Sequence, residues 1–126
     1  MKHYALGIGA AVLLALGACK TSGDKLVEGG AVPLTQAQTV AHITDKTETW
    51  KTGVGYYDPN GTLHVITEGT PGSGTYTVNE SGQVCSRVDI WGPETFCHMY
   101  VDDNGTVTAI FQGETHVYPI KPGRHI

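Results

Sequence analysis

The spacing of apolar residues changes once along the chain, from a helical period to a period of two near residue 47. Before this point an apolar face recurs at helical spacing and consists of Ala37, Val40, Ala41 and Thr44. Thr35 precedes this face and Gln38 follows three residues later, as in a capping box. The pattern predicts a short amphipathic helix over about residues 35–46.

After residue 47, apolar and polar residues alternate, which is typical of half-buried strands. The alternation predicts eight strands, over residues 47–51, 54–57, 63–68, 75–78, 84–90, 96–101, 107–112 and 116–118. Glycines that follow Asn or Ser, namely Gly61, Gly82 and Gly105, mark tight turns between them. Such turns favour hairpins, because glycine and asparagine tolerate positive φ.

These hairpins predict an antiparallel meander of about six to eight strands, in which each strand pairs with its neighbour in sequence. Several strands carry apolar residues on both faces, so the sheet has more than one covered surface. We therefore expect a mainly β (α+β) fold, with a strongly curved sheet or small barrel. The single N-terminal helix packs on this sheet.

The N-terminus has the features of a secretion signal. Lys2 precedes an apolar run over residues 5–16, which is too short to span a bilayer but suits a signal peptide. The sequence Leu-Gly-Ala-Cys that ends at Cys19 resembles the lipobox of bacterial lipoproteins. This resemblance implies cleavage before Cys19 and lipid on its thiol. The alternative is an ordinary secretory signal with an accidental cysteine.

The lipobox divides the chain into three predicted parts: a signal peptide over 1–18, a lipidated cysteine and flexible tether over 19–33, and one β-rich domain over 34–126. The tether is polar, glycine-rich and without period. Lys20 stands where an aspartate favours the inner membrane, so we expect the periplasmic face of the outer membrane. Stable attachment needs two or more acyl chains.

Composition and charge limit the classes of function. The chain has 126 residues and a net charge of −4, so it holds one small domain and lacks the basic surface that nucleic-acid binding requires. We expect no nucleic-acid partner. The membrane, through the lipid anchor, is the first expected partner, and an envelope protein or peptidoglycan is the second.

The two remaining cysteines, Cys85 and Cys97, form an even pair for an oxidising compartment, which predicts a disulfide. The alternative is a reactive thiol beside His98. If the cysteines sat directly opposite each other, continued pairing would set Asp89 against Pro93, which fits poorly inside a ladder. We therefore expect a bulge or a diagonal bridge there.

A family resemblance rests on several short motifs of the strand region. They include the run Gly-Thr-Tyr-Thr-Val at 74–78, Gly-Gln-Val-Cys at 82–85, Trp91 and Cys97. Together they resemble the domain of unknown function 995 over roughly residues 34–118. The resemblance implies a small secreted or lipid-anchored protein of alphaproteobacteria. The family has no established activity, so the resemblance implies no catalytic residue.

Motifs for catalysis or cofactor binding are not found in the sequence. His64, His98 and His116 fall on three predicted strands, but without the spacing of a zinc site. No serine has the context of a hydrolase nucleophile. We predict a protein that is not an enzyme and holds neither a metal nor a cofactor.

Aromatic residues are the remaining candidates for binding. Trp91 precedes Gly92 and Pro93 in the longest loop of the strand region, where a large aromatic is a plausible anchor. Three tyrosines are the other candidates: Tyr56, Tyr57 and Tyr100. The sequence predicts a non-catalytic envelope binding protein, and its nearest analogy is an inhibitor that presents residues 90–96 to a hydrolase. The alternatives are an envelope structural factor and a carrier of a small apolar ligand.

Overall fold

The computed structural model describes residues 20–126, which form two short helices and ten strands. The helices are α1 (Ser22–Glu28) and α2 (Gln36–Ile43). The strands are β1 (Val32–Pro33), β2 (Lys46–Thr49), β3 (Gly53–Tyr57), β4 (Thr62–Thr67), β5 (Thr70–Val78), β6 (Val84–Val88), β7 (Phe96–Asp103), β8 (Thr106–Phe111), β9 (Glu114–His116) and β10 (Ile120–Pro122).

Nine of these strands form one antiparallel sheet in the order β10-β2-β3-β4-β5-β6-β7-β8-β9, and β1 pairs with β7 off this path. The meander is therefore confirmed for the strands from β2 to β9. The two edge strands, β9 and β10, are joined by residues 117–119 alone. This connection spans at most about 14 Å, so the sheet curls into a half-barrel.

Helix α2 covers one end of the half-barrel. The Thr39 hydroxyl donates to the carbonyl of Gly82 at 3.0 Å, in the turn between β5 and β6. The predicted capping box is present, because Thr35 Oγ1 accepts from the Gln38 amide and the Gln38 side chain accepts from the Thr35 amide. Ile43 at the end of the helix belongs to the buried core, together with Leu63 and other residues of the inner face.

The tight turns have the backbone conformation that their sequences predict. Gly61, Gly82 and Gly105 all have positive φ, at 93°, 84° and 91°. Asn104 also has positive φ, at 51°, so the turn between β7 and β8 has two consecutive left-handed residues. This turn matches the twist of the strands that it connects.

The segment predicted as a flexible tether contains helix α1 and strand β1. Thr21 caps α1 with a complete capping box, in which Asp24 is the reciprocal partner. The Gly23 amide donates to the carbonyl of Gly113 at 2.8 Å, which docks the helix on the turn between β8 and β9. The prediction of a tether was wrong because local capping and this close glycine contact outweigh the polar composition.

The disulfide between Cys85 and Cys97 is present, with the two cysteines directly opposite in register. The predicted bulge or diagonal bridge is therefore wrong. The β6–β7 ladder ends one pair later, at Ser86 and Phe96, so Pro93 lies in the loop and never meets a ladder position. Residues Asp89–Trp91 form a 3₁₀ turn in that loop. Within residues 20–126, no helix is long and apolar enough to span a bilayer.

Candidate functional site: an aromatic cavity at the open end of the half-barrel

The end of the half-barrel opposite α2 holds a cavity of about 450 Å³. This open end is formed by the turns β2–β3, β4–β5 and β8–β9 and by the β6–β7 loop. Its volume lies in the range of small-molecule binding sites. The lining residues are Glu48, Trp50, Thr52, Ser86, Trp91, Phe96, His98, Phe111, Gln112 and Tyr118.

Aromatic rings form most of the cavity wall. The ring centroid of Trp91 lies 5.6 Å from that of Trp50 and 6.5 Å from that of Phe96. The ring centroids of Phe96 and Phe111 are 6.2 Å apart. Each pair is tilted or edge-to-face, an arrangement that aromatic rings favour. The indole of Trp91 is further held by its Nε1–H, which donates to Thr67 Oγ1 at 3.0 Å. The wall is thus a connected set of rings in fixed positions.

Glu48 lies at the inner end of the cavity and is 1% exposed. Its Oε1 accepts from Trp50 Nε1 at 2.6 Å and from the Tyr57 hydroxyl at 3.4 Å. Its Oε2 accepts from the Tyr100 hydroxyl at 2.6 Å. Burial raises the pKa of the Glu48 carboxyl, and the three hydrogen bonds oppose this shift. The residue is a buried acid whose charge is supported only by neutral donors.

His98 extends this polar group along the cavity wall. Its Nε2 lies 3.1 Å from the Tyr100 hydroxyl. Since that hydroxyl donates to Glu48, it accepts from His98 Nε2–H, which leaves His98 Nδ1 as an acceptor. Burial lowers the pKa of His98 to about 4, so the imidazole is neutral at neutral pH.

The charge of the cavity has one sign. Among residues 20–126, no lysine or arginine lines the cavity, and Glu48 is its only residue with a carboxyl group. The aromatic faces carry partial negative charge as well. The arrangement therefore suits an apolar molecule that brings a hydrogen-bond donor or a positive charge, and it disfavours an anion.

The structure separates the four aromatic residues predicted to bind. Trp91 lines the cavity with its ring turned inward, and it is not a projecting loop anchor. Tyr57 and Tyr100 are 1% and 2% exposed and hydrogen-bond Glu48, so they support the site from the core. Tyr56 lies outside the cavity, where its bond to Asp45 raises its pKa to about 12.

Glu48 and Trp50 were not predicted as site residues from the sequence. Glu48 lies on β2 and Trp50 directly follows that strand, two positions later, so their side chains lie on the same face. This spacing is the only sequence signal that joins them. The three histidines on strands do not converge: in the part of the chain that the structure describes, no three His, Cys, Asp or Glu side chains form a possible metal site. Cys19, the predicted lipidation site, lies outside the described residues.

Comparison with known proteins identifies the family. A model of the family described as "Protein of unknown function (DUF995)" matches residues 11–115. The chain belongs to the DUF995 family. This family membership confirms the resemblance seen in the strand motifs. No curated protein and no solved structure matches the chain significantly. The function is therefore inferred from the cavity.

Proposed function

We propose that this DUF995 protein is a non-catalytic binding protein of the bacterial cell envelope, and that its cavity holds a small, mainly apolar ligand. The observation that carries this proposal is the aromatic wall around a single buried acid. The ligand is neutral or cationic and presents a hydrogen-bond donor or a positive charge to Glu48. Of the alternatives drawn from the sequence, the small-ligand carrier is the one that this geometry favours.

The charge of the site determines which ligands are accepted. A fatty-acid carboxylate entering the cavity would approach Glu48 without a neighbouring cation, and burial makes such a like-charge contact costly. An amine or quaternary ammonium group instead meets ring faces and a carboxylate, two features that attract cations. A hydroxyl group can donate to Glu48 or His98 without bringing a second charge into the buried site.

Lipid on Cys19 is the second part of the proposal. The lipobox supports this lipidation, which would attach the protein to a membrane, and Lys20 favours the periplasmic face of the outer membrane. An envelope structural role, with contacts to outer-membrane proteins or peptidoglycan, stays a prediction that no particular feature of residues 20–126 favours.

Inhibition of an envelope hydrolase is a second candidate function, and one observation favours it. The Cys85–Cys97 disulfide closes the base of the β6–β7 loop, and Ile90 in that loop is 38% exposed. Because Trp91 is turned inward, Ile90 replaces it as the residue that an enzyme cleft would contact. Loss of inhibition in Ile90→Ala, with Trp91 retained, is the expected result for an inhibitor.

Native mass spectrometry of the lipidated protein, extracted in mild detergent, tests ligand binding. Thr52→Phe places a ring at the cavity mouth, whereas Lys51→Phe adds the same ring to the neighbouring exposed residue, which does not line the cavity. We expect a non-covalent adduct on the wild type and on Lys51→Phe, and its loss from Thr52→Phe. An adduct on none of the three proteins, or the same adduct on all three, would contradict binding in the cavity.

A further inference from the structure

The cavity opens at the end of the half-barrel where the chain enters from Cys19. Gln112, in the turn between β8 and β9, lines the cavity mouth. The next residue, Gly113, accepts hydrogen bonds at its carbonyl from the Gly23 amide at 2.8 Å and the Ser22 hydroxyl at 3.3 Å. The first turn of α1 is therefore attached beside the mouth.

The connection between Cys19 and this attachment is short. Only Lys20 and Thr21 separate the cysteine from α1, and the step from Cys19 to Thr21 covers at most about 7 Å. A Cβ atom on Gly113 would lie 2.5 Å from Thr21 Cγ2, so Thr21 itself packs against the rim. A lipid on Cys19 thus holds the mouth at the membrane surface.

We propose that the open end faces the bilayer, and that the cavity takes its ligand from the membrane: an amphiphile with an apolar tail and an amine or hydroxyl head. This inference rests on the lipid anchor and the cavity binding proposed above. It adds the source of the ligand and the side from which the ligand enters.

The polarity of the cavity sets the orientation of this amphiphile. Glu48 and His98 lie two residues further from the open end than Trp50 and Phe96, which stand next to the β2–β3 turn and the β6–β7 loop. The head group therefore enters first and bonds to Glu48, while the tail lies along Trp50 and Trp91 and points back to the bilayer. Both tryptophans of the chain line the cavity, so their fluorescence reports its occupancy.

The test uses the lipidated full chain in vesicles of phosphatidylcholine and phosphatidylglycerol. A brominated long-chain amine is supplied within the vesicles, and quenching of tryptophan fluorescence measures its entry. The comparison variant carries a flexible Gly-Ser insert of about 20 residues after Lys20, which lets the domain move roughly 25 Å from the anchor. Bromobenzyltrimethylammonium, added from the aqueous phase, checks that the cavity of each protein still binds.

We expect the insert to slow quenching by the membrane amine about fivefold, because the mouth spends less time at the bilayer. Quenching by the aqueous probe should be the same in both proteins. Equal rates with the membrane amine would overturn entry from the bilayer and leave cavity binding intact. If neither probe quenches either protein, cavity binding itself fails, and this inference fails with it.

Discussion

The Glu48 carboxylate accepts hydrogen bonds from Trp50 and from the hydroxyls of Tyr57 and Tyr100. The segment Lys46–Thr49 is polar on both faces, so alternation does not show which face turns inward. The tyrosines that bond Glu48 come from β3 and β7, and Tyr100 is distant from it in sequence. Only the curl of the sheet brings them together.

Replacement of Glu48 separates its hydrogen bonds from its charge. Glu48→Ala leaves Trp50 Nε1–H and the Tyr100 hydroxyl without their acceptor, which we expect to cost about 2–4 kcal/mol in the free energy of unfolding. Glu48→Gln retains one oxygen for Trp50, and its amide can donate to Tyr100, so it costs less. Urea denaturation measures both. Equal stability of the two variants would show that the hydrogen bonds of Glu48 contribute little.

His98 makes stability depend on pH. Burial lowers the pKa of His98 from 6.5 to about 4. Below pH 6.5 the imidazole is therefore protonated in the unfolded chain, whereas in the folded chain it stays neutral until about pH 4. The free energy of unfolding therefore falls as the pH drops from 6.5 to 4, by at most about 3 kcal/mol from this group.

Urea denaturation at several pH values checks this dependence. His98→Gln should flatten the decline between pH 6.5 and 4. His42→Gln is the matched comparison: burial also lowers the pKa of His42, but the residue is not in the cavity wall, so most of the decline should remain. An unchanged slope in His98→Gln would contradict the assignment.

At the scale of elements, capping and turn motifs predicted helices and hairpins correctly where the spacing of apolar residues was also clear. Thr35 and Gln38 located α2, and the glycine turns located the hairpins. Helix α1 was missed although Thr21 and Asp24 form the same kind of box, because the helix has a glycine within it and little apolar surface. Its stability comes from the contact with Gly113, which is distant in sequence.

Helix α1 should detach when Gly23 gains a side chain. A Cβ at this position would lie 2.6 Å from Ile110 Cγ2 and 3.1 Å from the Gly113 carbonyl oxygen, so Gly23→Val cannot dock. Hydrogen exchange should show loss of protection over 22–28, while the strands stay protected. Val27→Ala, on the exposed side of the helix, is the control. Retained protection in Gly23→Val would contradict the docking described here.

The Cys85–Cys97 disulfide stabilises the hairpin that carries Trp91. Its sequence separation is 12 residues, for which loop-closure entropy predicts about 3 kcal/mol. We expect the double variant Cys85→Ser, Cys97→Ser to lose about this amount in thermal or urea unfolding. Reduction of the wild-type protein should give the same loss. Unchanged stability after both treatments would show that the pairing of β6 with β7 alone fixes the loop.

For the whole molecule, the sequence predicted a curved antiparallel sheet but not its open end. The curl of the sheet depends on residues 117–119, which join the two edge strands, and on β10, a strand of three residues that is too short to predict from the sequence. The cavity exists because α2 covers one end of the half-barrel and no such element covers the other, among residues 20–126. Its aromatic wall combines residues from four segments of the sheet: Trp50 after β2, Trp91 of the β6–β7 loop, Phe96 of β7 and Phe111 of β8.

The most direct test of cavity binding compares two small probes of similar size and opposite charge. Benzyltrimethylammonium and phenylacetate are titrated into the lipidated protein in nanodiscs, and tryptophan fluorescence is recorded. Cavity binding predicts a saturable change with the cation, weakened about tenfold in Glu48→Gln, and none with phenylacetate. An equal response to both probes, or no saturable response to the cation, would contradict it.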